Sequence, residues 1–137
     1  MTNEFVLDVS STMPLVFHDE SGPDTESLRQ AFVAGAIAYV PTLWRYELSN
    51  SLWQGERRGR VTGAEIERAL DLLYALPMEE VETWSADSLV AFARMFDLTA
   101  YDTAYLVLAQ RLAIPLATRD AKLRQAAIEG DVELFGE

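Results

Sequence analysis

Three short apolar runs, set apart by helix-length amphipathic segments, constrain this chain more than any other feature. They are Phe5-Val6-Leu7, Ala36-Ile37-Ala38-Tyr39-Val40 and the stretch from Ala113 to Ala117. Each has the length and continuous apolar character of a strand covered on both faces. Two weaker candidates join them: an edge-like strand from Glu79 to Thr83, where acids alternate with Val81, and a last short strand from Val132 to Phe135. Strands that alternate with helices predict an α/β fold, a three-layer α/β/α sandwich around a central, mostly parallel sheet. With 137 residues the chain is expected to form one domain, residues 1–137, large enough to bury a real core.

The helices carry their own punctuation. Ser10 or Ser11 can cap a first helix reaching Phe17, with Pro14 placed near its first turn. Asp24 is a cap for a second, whose Leu28, Ala31 and Phe32 share one side before Gly35. Thr42 opens a third that runs to about Glu56. Thr62 and Glu65 form a capping box for a fourth, with Ile66, Ala69, Leu70 and Leu73 as its stripe. Ser85 caps a helix expected to be buried through Leu89, Phe92, Ala93 and Phe96. Thr99 starts one that is apolar almost all round through Leu112, which marks it as central. A final helix from Asp120 to Glu129 turns Leu123, Ala126 and Ala127 inward.

Against this apolar frame, a few acids stand out. Asp8 ends the first strand, and an ionised Asp is seldom buried without a partner. In open α/β sheets the carboxyl ends of the strands form the ligand crevice, so Asp8 either caps the following helix or lines that crevice. Asp120 follows the strand ending at Ala117 in the same way and has the same two readings. Asp102 lies in the first turn of the central helix, where a capping role with Thr99 is equally open, yet it shares a side with Tyr105, Leu106 and Ala109. The helix after Thr42 has two polar arcs instead of one. Arg45, Ser49 and Glu56 form the first, and Glu47, Asn50, Ser51 and Gln54 the second. The second arc faces water, a polar cleft or a site.

Composition narrows the chemistry. There is no cysteine and only one histidine, His18, read as a surface residue, so thiolate and multi-histidine metal sites are excluded. A formal charge of −11 opposes non-specific nucleic-acid binding, although acids gathered around a cation would inflate that count while the cation reverses the local field. Carboxylates converging in one crevice repel unless a divalent cation holds them, and Mg²⁺ or Mn²⁺ suits oxygen ligands. The one dense basic cluster, Arg57-Arg58-Gly59-Arg60, is a mobile turn that is either a solvated loop or a phosphate contact. Trp44, Trp53 and Trp84 are read as core or interface residues. No apolar run approaches the length of a membrane span, and no signal segment opens the chain, so a cytoplasmic protein without membrane contact is expected.

Four blocks in order make a more specific pattern. They are Val6-Leu7-Asp8-Val9-Ser10, then Pro41 through Tyr46-Glu47-Leu48-Ser49-Asn50, then Leu98-Thr99-Ala100-Tyr101-Asp102-Thr103-Ala104-Tyr105-Leu106, then Leu116-Ala117-Thr118-Arg119-Asp120-Ala121-Lys122-Leu123. Together they resemble the PIN-domain family, in particular the VapC-type toxin ribonucleases of bacterial toxin–antitoxin pairs. The resemblance implies a Mg²⁺- or Mn²⁺-dependent endoribonuclease with Asp8, Glu47, Asp102 and Asp120 as metal-binding acids. Ser10 and Thr118 would stand beside the site, with Asn50 orienting Glu47. It also implies an antitoxin partner, a homodimer, and DNA contact only through the antitoxin. From charge alone, Arg119, Lys122 and the Arg57, Arg58 and Arg60 turn are candidates for contact with the RNA backbone. A receiver domain would need an acidic pair at the first strand and a late lysine, and a paired Asp-x-Asp phosphatase fails because position 10 is Ser. A non-catalytic PIN-like module that works mainly by binding its antitoxin is the alternative.

Overall fold

The computed structural model describes residues 3–82 and 84–137. Among these residues four strands are interleaved with seven helices: β1 (Glu4–Leu7), α1 (Val9–Val16), α2 (Pro23–Val33), β2 (Ile37–Pro41), α3 (Leu43–Arg57), α4 (Gly63–Tyr74), β3 (Met78–Val81), α5 (Ala86–Phe96), α6 (Ala100–Leu112), β4 (Leu116–Ala117) and α7 (Ala121–Glu129). A single 3₁₀ turn, His18–Glu20, joins α1 to α2, with His18 exposed. The strands lie in the order β3-β2-β1-β4, and every pairing is parallel. This is the three-layer α/β/α sandwich expected from the alternation.

Position in the sheet explains the composition of each strand. β1 is flanked on both sides, and Phe5, Val6 and Leu7 are fully buried. β3 is the edge, and its Glu79 and Glu80 face solvent, as charges on an edge strand should. It runs from Met78 to Val81, and the Thr83 end of the expected strand lies outside the described residues. The last expected strand, Val132 to Phe135, shrinks to one parallel bridge between Leu116 and Leu134. The left-handed turns at Asp131 and Gly136 leave too little extended chain between them for more.

Several helix ends differ from expectation for local reasons. Asp8 itself caps α1, its Oδ1 accepting the Val9 N–H at 2.9 Å, so Ser10 and Ser11 fall inside the helix and Pro14 is interior. Gly22, followed by Pro23, opens α2 in place of Asp24. There the Gly22 N–H is satisfied by Thr25 Oγ1 at 3.0 Å, and the Asp24 carboxylate is engaged elsewhere. Gly55 lies within α3 rather than in the basic turn. A Cβ there would come within 3.2 Å of Val61, so it allows the following loop to fold back, while Gly59, at φ 72, makes the turn itself. α5 buries none of its residues; Leu89, Phe92, Ala93 and Phe96 are half-buried because α5 leans on the outer side of α6. α6 is the central helix, buried continuously from Thr103 to Ala109 and packed on β1, β2 and β4.

Chain order runs outward from β1 through β2 to β3 and then returns to place β4 on the other side of β1. The reversal opens the sheet's carboxyl edge between β1 and β4. Asp8 and Thr118 stand at that point.

Candidate functional site

Asp8 is held by donors from both sides of the reversal. It is 7% exposed, and its Oδ2 accepts the Ser10 and Thr118 hydroxyls, each at 2.7 Å. Each hydroxyl has only one hydrogen, so both serve as acceptors for the next link. Ser10 Oγ accepts the Arg119 N–H at 2.8 Å, and Thr118 Oγ1 accepts the Asp120 N–H at 3.1 Å. Thr12 Oγ1 donates to the Asp8 carbonyl at 2.9 Å and receives the Trp44 indole N–H at 3.0 Å, tying α3 to the start of α1. Asp8 therefore caps α1, and it stands at the sheet's carboxyl edge where β1 meets β4.

Glu47 enters from the second turn of α3. Its Oε1 accepts the Tyr105 hydroxyl at 2.6 Å, across 58 residues of sequence. Burial is the main cause that raises its pKa above the ordinary carboxylate value. The Tyr105 hydrogen bond works against that rise, while the fields of Asp8 and Asp102 add to it. Tyr105 is fully buried, and desolvation followed by the Glu47 contact pushes its hydroxyl pKa well up, so it stays a donor. Tyr105 is the site residue missing from the sequence reading. Its three-residue spacing from Asp102 was the available signal.

Asp102 comes from the first turn of α6, where the Thr99 hydroxyl accepts its N–H at 3.1 Å. Burial raises its pKa first, then the charges of Asp120 and Asp8; Lys122 and Thr99 oppose the rise. Asp120 is exposed and caps α7, with Oδ2 accepting the Leu123 N–H at 2.9 Å. The four acids thus interact pairwise, Glu47 with Asp8 and Asp102, and Asp102 with Asp8 and Asp120. They do not form a closed cage: among the described residues, no three acids or histidines are grouped tightly enough to hold an ion unaided.

The other candidates separate. Lys122 stands close enough for its charge to act on Asp102. Asn50 makes no hydrogen bond to Glu47; with Ser51, Gln54, Arg58 and Phe17 it lines a separate cavity of about 330 Å³. The polar arc of α3 therefore splits between two places. Arg60 pairs with Glu20 at 3.0 Å and Asp19 at 3.5 Å, and Arg57 lies over the Trp53 ring at 5.8 Å. Arg119, expected at RNA, directs its guanidinium at Asp24, Thr25 and the Glu20 carbonyl. A larger apolar cavity of about 470 Å³ between α3, α4 and β3, lined by Trp44, Leu48 and Leu73, contains none of the four acids.

A doubly wound parallel sheet with interacting acids at its carboxyl edge defines a class, and the chain belongs to the PIN-domain family. The family model described as PIN domain matches residues 6–129, a span that includes all four acids. The chain is similar to Ribonuclease VapC3 of Pyrobaculum aerophilum, with 28% identity over 126 residues, covering 89% of this chain and 93% of that protein. It is also similar to the crystal structure of PAE2754 from Pyrobaculum aerophilum, with a TM-score of 0.69 and 26% identity, covering 92% of this chain and 87% of that one.

Proposed function

We propose that this single domain is a metal-dependent endoribonuclease that acts as the toxin of a type II toxin–antitoxin pair. It would hydrolyse RNA phosphodiester bonds at Asp8, Glu47, Asp102 and Asp120. The observation that carries the reading is electrostatic. Glu47 and Asp102 are partly buried, and each is penalised by its own desolvation and by other acids of the set, while Lys122 supplies a positive charge near Asp102. Carboxylates under such mutual penalty are relieved by a cation. The donor set is all oxygen, which fits Mg²⁺ or Mn²⁺ and nothing softer. When bound, the ion supplies polarisation of the phosphoryl oxygen and a more acidic water. The protein's own part is orientation: Ser10 and Thr118 fix Asp8, Tyr105 fixes Glu47, and Lys122 offers a positive charge toward the RNA backbone. Similarity to a VapC ribonuclease supports RNA as substrate and an antitoxin as partner, with a homodimer as the proposed assembly.

The test is to incubate purified protein, free of antitoxin, with structured RNAs in Mg²⁺ or Mn²⁺ and in chelator. Cleavage only with the metal is expected. No metal-dependent cleavage would leave the binding-module alternative. A second expectation concerns the missed tyrosine. Tyr105→Phe keeps the buried ring but removes the hydrogen bond that favours ionised Glu47. Mn²⁺ affinity measured by calorimetry should fall about tenfold, the low end for losing a group that orients a ligand. The far-ultraviolet spectrum should not change.

A further inference from the structure

Arg119 makes two kinds of contact. Its side chain forms a bidentate pair with Asp24, Nε to Oδ2 at 2.7 Å and Nη2 to Oδ1 at 2.8 Å. The same guanidinium donates to the Glu20 carbonyl at 2.8 Å and to Thr25 Oγ1 at 3.2 Å. Its backbone N–H donates to Ser10 Oγ, one of the two hydroxyls on Asp8 Oδ2. Thr118 on one side of Arg119 supplies the other hydroxyl, and Asp120 on the other side supplies the fourth acid. The first turn of α2 and the β4–α7 turn, 95 residues apart in sequence, are therefore joined where the latter delivers its groups to Asp8.

We propose that the Arg119–Asp24 pair is a positioning clamp. It sets the 118–120 turn so that the Ser10 and Thr118 hydroxyls meet Asp8 and the Asp120 charge stands near Asp102. Arg119 acts through the turn and does not touch substrate. The side chains are 34% and 46% exposed, so the pair adds little to global stability. Its value is directional, because a forked guanidinium on a carboxylate fixes orientation as well as distance. The Arg119 hydrogen bond, with the guanidinium charge behind it, also lowers the Asp24 pKa from its ordinary value.

The clamp's metal consequence rests on the nuclease reading, whereas its effect on the turn does not, and the test separates the two. Arg119→Gln, Asp24→Asn and the double variant are compared with wild type by Mn²⁺ calorimetry, by hydrogen exchange at the Arg119 amide, by thermal midpoint and by RNA binding. Each single variant should speed that exchange and weaken Mn²⁺ binding about tenfold. The double variant should be no worse than either single, because both remove one interaction. Unchanged exchange at Arg119 overturns the clamp. Lowered thermal midpoints with unchanged Mn²⁺ affinity overturn it in favour of a merely structural pair. Weaker RNA binding in Arg119→Gln alone, with Asp24→Asn like wild type, overturns it in favour of an RNA contact. If wild type itself binds no Mn²⁺, the metal reading fails and the exchange measurement alone decides the clamp.

Discussion

Asp8→Asn and Asp102→Asn should both slow metal-dependent RNA cleavage by about 10³-fold, the scale on which loss of one well-placed electrostatic group slows a reaction. Their effects on stability should have opposite signs. The Asp8 carboxylate accepts three hydrogen bonds, one on Oδ1 and two on Oδ2. An amide has only one acceptor oxygen, so whichever way the substituted side chain turns, its NH₂ faces at least one donor. Asp8→Asn should cost about 1–3 kcal/mol, the penalty for an unsatisfied buried group. Asp102 is different: burial and the charges of Asp120 and Asp8 all disfavour its ionised form. Removing that charge relieves the metal-free protein, so Asp102→Asn should raise the thermal midpoint in chelator by a few degrees. Cleavage assays and calorimetry on the same preparations check both halves. Wild-type cleavage by Asp102→Asn would remove the acid cluster from the reaction.

The sequence was most informative where one local property had one structural outcome. Phe5-Val6-Leu7 could only be a strand covered on both faces, and it is fully buried between two neighbours. The apolar circumference of the helix opening at Ala100 likewise had only one home, the centre of the sheet. Where two local roles competed, the contest was decided by tertiary partners. Asp24 has the residue type of a cap, yet Arg119 captures its carboxylate, and Gly22 with Pro23 begins the helix instead. The stripe of α5 promised burial, but a helix that rests on another helix rather than on the sheet leaves its face half wet.

The site was legible as a set of directions rather than as contacts. A wheel could show that Glu47 departs from the main wet face of α3 and that Asp102 points with the apolar residues of α6. It could not show that Tyr105 meets Glu47, because that pairing joins residues 58 apart that only the tertiary fold brings together. The partners of Arg119 were hidden for a related reason. Counting charges marks an arginine beside a site as a phosphate contact, whereas the fold had already committed its donors to Asp24, Thr25 and Glu20.

Without metal, the protein should gain stability as the pH falls through the raised pKa values of Glu47 and Asp102 toward the ordinary carboxylate range, the reverse of ordinary acid denaturation. Glu47 and Asp102 both have pKa values raised above their ordinary values in the folded state. The folded chain then binds protons more tightly than the unfolded one. The destabilisation is fully present above the folded pKa values and fades as pH falls through them toward the unfolded values. Asp24 opposes this only further down, since its pKa lies below the ordinary 3.8 and its contribution is lost as pH falls through that lower value. Saturating Mn²⁺ should reverse the slope, because protons then compete with the ion for the same oxygens. At a hundredfold excess over Kd the ion adds about 2.7 kcal/mol at neutral pH, roughly 8 °C for a chain of this size. Thermal midpoints taken across that pH range, in chelator and in Mn²⁺, give two lines of opposite slope if the acids form one cation site. A chelated protein that loses stability as the pH falls toward the ordinary carboxylate range would show that Glu47 and Asp102 carry no such penalty.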